Sequence, residues 1–264
     1  MEINQQLSAT ADTLASILSN QKAQREQVAQ YALARGLSFL QEKKYDRAIS
    51  EFKRAAAFNP ELPEAYEYLG KVYQTTGKYN DAIEAFKAGV RHNLTSEKAI
   101  TSLGNAYIET KQYAEAESQF KRLAQVSPTS AYPYNSLGHI YLSTNRYEEA
   151  EDQFKKVIKL APRDANGYYG LGLAYNKQNK YEEAVEQFEK AIALKKDFAY
   201  AYSDLGYAYA GLGNTDKAEE QVNTLIDLNT DLATNLAQEL ELTLFTPKIS
   251  SVKPLDSTFP SVLG

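Results

Sequence analysis

The chain has 264 residues, 43% of them hydrophobic, with 29 basic against 34 acidic side chains for a net charge of -5, and no cysteine. Without cysteine there are no disulfides, no thiolate metal ligands and no thiol nucleophile. A mildly acidic chain with no concentrated basic face also lacks the electrostatic footprint of a nucleic-acid binder.

At the N-terminus, Glu2 stands where a signal peptide would carry positive charge, and the apolar residues are spaced out instead of consecutive. No run approaches the length that a membrane-spanning helix needs. These features predict a soluble, cytoplasmic chain with no membrane insertion. Within residues 1–28, Ile3, Leu7, Leu14, Ile17 and Leu18 fall on one side of an amphipathic helix, interrupted by Thr10 and Gln21. Two readings are open: a cap on the helices that begin at residue 29, or a docking segment through which the protein forms a homo-oligomer.

From Ala29 the chain repeats itself every 34 residues. One column holds Tyr45, Tyr79, Tyr113, Tyr147 and Tyr181. Three residues on stand Ala48, Ala82, Ala116, Ala150, Ala184 and Ala218, and then Phe52, Phe86, Phe120, Phe154 and Phe188, with Val222 in the sixth copy. Earlier in each copy comes Gly36, Gly70, Gly104, Gly138, Gly172 or Gly206, followed by an aromatic residue, Phe39 to Tyr209. Apolar residues at helical spacing predict two helices per copy, as in Tyr66, Leu69, Gly70 and Tyr73, then Ala82, Ile83, Phe86 and Val90.

Between the two helices, Gly77, Asn145, Asn179 and Gly213 share a position suited to the left-handed residue that ends a helix. Acidic residues such as Asp81, Glu148 and Glu182 come next, in the first turn of the second helix, where the macrodipole favours them. Pro60, Pro128 and Pro162 close three copies. A glycine inside a helix costs about 1 kcal/mol against alanine, so six at one register require a compensating contact. Close packing of helix on helix, with aromatic rings interdigitating over the glycine and alanine columns, supplies it. A pair built this way leaves an apolar face that the next pair covers.

The predicted units are 29–62, 63–96, 97–130, 131–164, 165–198 and 199–232. After them, Leu232, Leu236, Leu240 and Leu244 lie four apart and predict a capping helix over 233–245. Residues 246–264 carry Pro and Ser without a period and read as a flexible tail or linker.

This order of residues in a 34-residue unit resembles the tetratricopeptide repeat family, from Ala29 to Leu232. The resemblance implies an all-α fold, a right-handed α-solenoid whose first helices line a concave groove used for peptides or partner proteins. Some members hold a carboxylate clamp there, but the matching residues in units three to five are Thr101, Asn105, Ser136, Asn166 and Gly170, with every cation missing. Capture of a C-terminal carboxylate is therefore disfavoured.

The same surface instead offers Asn105, Asn135 and Asn166, bordered by Tyr132, His139, Tyr169, Asn176, Tyr200 and Tyr207. Amides pair with an extended backbone and tyrosines add amphipathic area at low entropy cost, which predicts a neutral peptide segment as partner. Lys71 and Lys98 lie on the inner face of units two and three, where they would attract an acidic stretch.

Tests for chemistry find little. His92 near the end of a second helix and His139 in a first helix assemble neither a metal cluster nor a triad. Gly167, Gly170 and Gly172 have the wrong spacing for a nucleotide loop and lie inside a predicted helix. Adjacent carboxylates such as Glu148 and Glu149 diverge on a helix surface. The expectation is a non-enzymatic interaction scaffold without cofactor or metal. The alternatives are a self-assembling platform built through residues 1–28 and an accessory repeat domain of a larger protein.

Overall fold

The computed structural model describes residues 2–92 and 95–240, with side chains from Thr13 onward. Among these residues there are thirteen α-helices and no strand. They are α1 (Glu2–Gln41), α2 (Tyr45–Phe58), α3 (Pro63–Thr75), α4 (Tyr79–His92), α5 (Glu97–Glu109), α6 (Tyr113–Val126) and α7 (Tyr132–Ser143). The series continues with α8 (Tyr147–Leu160), α9 (Ala165–Lys177), α10 (Tyr181–Leu194), α11 (Ala199–Gly211), α12 (Thr215–Leu228) and α13 (Thr230–Glu239). The chain divides into two compact units, residues 1–133 and 134–264.

In the first unit each helix from α1 to α5 packs on the one that follows it, and α1, α3 and α5 also touch one another in turn. The reason lies in the small-residue columns. A methyl group added at Gly36 would sit 2.4 Å from the Phe52 ring, at Gly70 2.4 Å from Phe86, and at Gly104 2.8 Å from Phe120. All three rings are buried, as are Ala48, Ala82 and Ala116. Each glycine thus allows the second helix of its own hairpin to press an aromatic ring against the backbone of the first, and the burial gained offsets the helix penalty.

α1 runs without a turn through residue 28, so the first repeat and the segment before it form one helix. Among the residues whose side chains are described, 13 to 27 are all exposed and Ala29 is the first that is buried.

The second unit repeats the scheme. A methyl at Gly138 would fall 2.6 Å from Phe154, and at Gly172 2.6 Å from Phe188. Gly170 meets Phe154 as well, at 2.2 Å, and Gly167 meets Val157 at 2.9 Å, so the glycine run of α9 is consumed by packing. The sixth hairpin differs because Val222 is too short to reach across. There the glycine, Gly206, faces Leu236 of α13 at 2.5 Å, and Val222, Leu225, Ala233, Leu236 and Ala237 form a closing cluster. α13 starts at Thr230, three residues before the expected 233, with Leu232 and Leu240 packed against that cluster. Leu244 and residues 246–264 lie outside the described residues.

The turn inside each hairpin has one geometry. Lys43, Gly77, Lys111, Asn145, Asn179 and Gly213 all have positive φ, between 56° and 72°. The next residue donates its N–H to the carbonyl of the aromatic column, as in Lys44 to Phe39 at 2.8 Å and Asn214 to Tyr209 at 2.9 Å, the six-to-one bond of a Schellman turn. Where the turn residue is asparagine its side chain contributes too. Tyr147 and Tyr181 donate their hydroxyls to Oδ1 of Asn145 and Asn179 at 2.8 and 2.9 Å.

Candidate functional site

The first helices carry the side chains that the repeat does not use for its core. In the first unit the Tyr132 hydroxyl donates to Oδ1 of Asn105 at 3.1 Å, and the Tyr132 ring stands edge-on to Phe120. Two residues expected side by side are therefore brought together. Lys71 and Lys98 are not free to attract an acidic partner. Both pair with Glu67, at 2.6 and 2.8 Å, across neighbouring helices α3 and α5. Burial opposes ionisation of Glu67, but the two lysines outweigh it and hold its pKa below the usual carboxylate range. A cavity of about 260 Å³ adjoins this triad, lined by Pro63, Tyr66, Phe86, Ser96 and Lys98. His92 stacks on Tyr66 with ring centroids 5.3 Å apart.

In the second unit, α7 bears Asn135 and His139, α9 bears Asn166, Tyr169 and Asn176, and α11 bears Tyr200 and Tyr207. α9 and α11 touch directly. Asn135 is half-buried, and its Oδ1 is buried with no hydrogen-bond partner among the described residues. His139 is exposed, with its ring edge-on to Phe154. Asn166 is partly committed elsewhere: its side-chain amide and its backbone N–H both donate to Oδ1 of Asp164, each at 3.0 Å. It belongs to the N-cap of α9 as much as to any binding face.

Tyr169 does not point freely outward. Its ring packs on Phe188 and Phe198, and its hydroxyl donates to Oδ2 of Asp204 at 2.7 Å. Burial raises the pKa of the Tyr169 hydroxyl, and the Asp204 charge adds to the rise. Asp204 itself is raised, because desolvation outweighs the bond from Tyr169 and the charge of Lys177. Tyr207 is pushed up to about 12, first by burial and then by the Glu239 carboxylate beside its hydroxyl, with Asp204 contributing. Tyr200 is 51% exposed.

Asp204 and Glu239, which neighbour Tyr169 and Tyr207, are not among the candidate residues that the sequence pattern singles out. A signal for Asp204 existed, since its equivalents in the other copies are Ala34, Tyr68, Ser102, Ser136 and Gly170, all neutral. Among the described residues no group of three His, Cys, Asp or Glu could hold a metal ion, and no helix is long and apolar enough to cross a membrane.

Family models of the tetratricopeptide repeat match residues 36–77, 68–136, 138–179, 172–213 and 199–232. The chain belongs to the tetratricopeptide repeat family. Among curated proteins none matches this tetratricopeptide repeat chain. Solved structures show the same helical repeat. One is a tetratricopeptide repeat protein from Parabacteroides merdae, 16% identical with a TM-score of 0.70, covering 85% of this chain and 90% of its own. MamA is 27% identical with a TM-score of 0.55, covering 65% and 95%. YrrB, described as a TPR protein with an unusual peptide-binding site, is 20% identical with a TM-score of 0.57, covering 71% and 97%. The family builds protein interaction scaffolds from helix hairpins, and the present chain has that architecture.

Proposed function

We propose that this tetratricopeptide repeat protein is a non-catalytic scaffold that holds an extended partner segment against the first helices of its second unit. The observation that carries the reading is Asn135, whose buried Oδ1 has no donor among the described residues. A buried acceptor left unpaired costs roughly 1–3 kcal/mol, and once the half-buried Asn135 side chain turns outward the N–H of an extended peptide supplies the missing bond. Asn176, half-buried on α9, and Tyr200, half-exposed on α11, add adaptable polar contact and flat ring area on helices of the same kind. The peptide-binding site named for YrrB agrees with a binding role for a fold of this type. Combined Asn135→Ala, Asn176→Ala and Tyr200→Ala should reduce partner recovered from native extract at least tenfold while the melting temperature stays within a few degrees. Undiminished recovery by a folded variant would move the site elsewhere.

A second reading rests on α1. Leu14, Ile17 and Leu18 are 60%, 48% and 58% exposed on one side of a helix that stays exposed all round from residue 13 to residue 27. Helices in water draw most of their stability from such faces being covered, and a second copy of the same segment supplies matching apolar area. Replacing the three by glutamine should leave a monomer by light scattering where the parent is larger. A parent already monomeric at tens of micromolar disposes of this reading.

A further inference from the structure

Four carboxylates set into the hairpins have side chains only 9% to 16% exposed, and each has a lysine or arginine within 4 Å. Glu51 has Arg35 and Arg54, Glu67 has Lys71 and Lys98, Glu117 has Lys121, and Glu151 has Lys155 and Lys180. These four acids are thus neutralised within the chain.

Asp204 differs from those four. It is partly buried in the middle of α11, and among the described residues the one hydrogen bond to its carboxylate is that from Tyr169, with no basic side chain paired to it. Lys177 is near enough to influence the charge but forms no ion pair with it. The repeat does not require an acid there, as the five neutral equivalents attest. Tyr200 and Tyr207 stand four residues before it and three after, a spacing that places all three on one helix face. Glu239 adds a second carboxylate next to Tyr207.

We propose that Asp204, flanked by Tyr200 and Tyr207, is a subsite for one cationic side chain, a lysine or arginine of the segment bound by the second unit. The subsite rests on the peptide-binding reading and gives its ligand a charge. An ammonium or guanidinium group donates to the carboxylate oxygen that Tyr169 leaves unpaired, a charge-assisted bond stronger than a neutral one. The exposed Tyr200 ring offers its face to the same cation. The Tyr169 hydroxyl fixes the carboxylate in place before any ligand arrives, so little ordering is left for binding to accomplish.

The test is a library of capped, extended decapeptides in which each lysine- or arginine-containing member has a twin with norleucine at that position. Wild-type protein should retain the cationic member at least tenfold better than its twin at one position of the segment. In Asp204→Asn, which keeps an acceptor for Tyr169 and is checked to melt no lower than wild-type protein, that ratio should fall to about one, while Asp204→Glu should retain part of it. Equal retention of twins by wild-type protein, or an undiminished ratio in Asp204→Asn, overturns the subsite and leaves the peptide-binding reading standing. If wild-type protein retains no peptide of either kind, the peptide-binding reading falls and the subsite with it.

Discussion

The two units treat a carboxylate on their first helices in opposite ways. In the first, Glu67 is clasped by Lys71 from its own helix and by Lys98 from the next, and its pKa falls. In the second, Asp204 receives a single neutral hydroxyl from Tyr169, and its pKa rises. The backbone scaffold is shared, so the difference lies in the partners. It teaches that a repeat protein can satisfy a charge within the chain at one height of the stack and leave it short of a counter-ion at another, with no change of fold.

The largest effect should come from disturbing the contact on which the Glu67 arrangement is built. Gly70→Ala puts a methyl 2.4 Å from the Phe86 ring and must shift α3 on α4. A loss of about 3 kcal/mol, the upper end of the overpacking range, is expected in urea unfolding. Gly206→Ala in the second unit meets the flexible end of Leu236, which can rotate away, and should cost closer to 1 kcal/mol.

A smaller effect should come from making Glu67 resemble Asp204. Combined Lys71→Met and Lys98→Met leave the Glu67 carboxylate without a cation. Because both lysines are half-exposed or more, a loss of roughly 2 kcal/mol is expected at pH 7, below the cost of breaking a fully buried pair. The sign with pH is definite. A lowered folded pKa contributes stability above the ordinary carboxylate range and loses it as pH falls through the folded value. The deficit of the double variant should therefore shrink in acid. A deficit that persists unchanged there would assign it to lost lysine packing.

The smallest effect, of opposite sign, belongs to Asp204. A raised folded pKa contributes stability that is complete below the unfolded value and disappears as pH rises through the folded one. Ionised Asp204 is thus a burden at neutral pH, and Asp204→Asn should raise stability there by on the order of 1 kcal/mol and by nothing in acid. A loss at pH 7 would mean that the charge is already compensated.

Much of the fold was legible because its packing repeats. A small residue facing a ring every 34 residues leaves a periodic trace, and Gly36 with Phe52 or Gly172 with Phe188 could be paired from spacing and volume. The turn column was legible only where the residue type reports the backbone. Gly77 and Asn145 do so, whereas Lys43 and Lys111 adopt the same left-handed conformation with no local preference for it. The extent of α1 was hidden for a related reason: the division at residue 28 tracks the repeat period, and no glycine or proline marks a break there.

The site was harder to see. Asparagines and tyrosines on the first helices could be counted, but whether each was spent within the chain depends on partners far apart in sequence, such as Tyr169 and Asp204. Lys71 could have been matched to Glu67 by its four-residue spacing. Lys98 could not, since it reaches Glu67 from another hairpin.

Leu236 gives the repeat count a different meaning. A chain severed after Leu232 would keep all six hairpins and lose the stopper of the last one, leaving Val222 and Leu225 to face water. The length that the periodicity measures is therefore shorter than the length that folds.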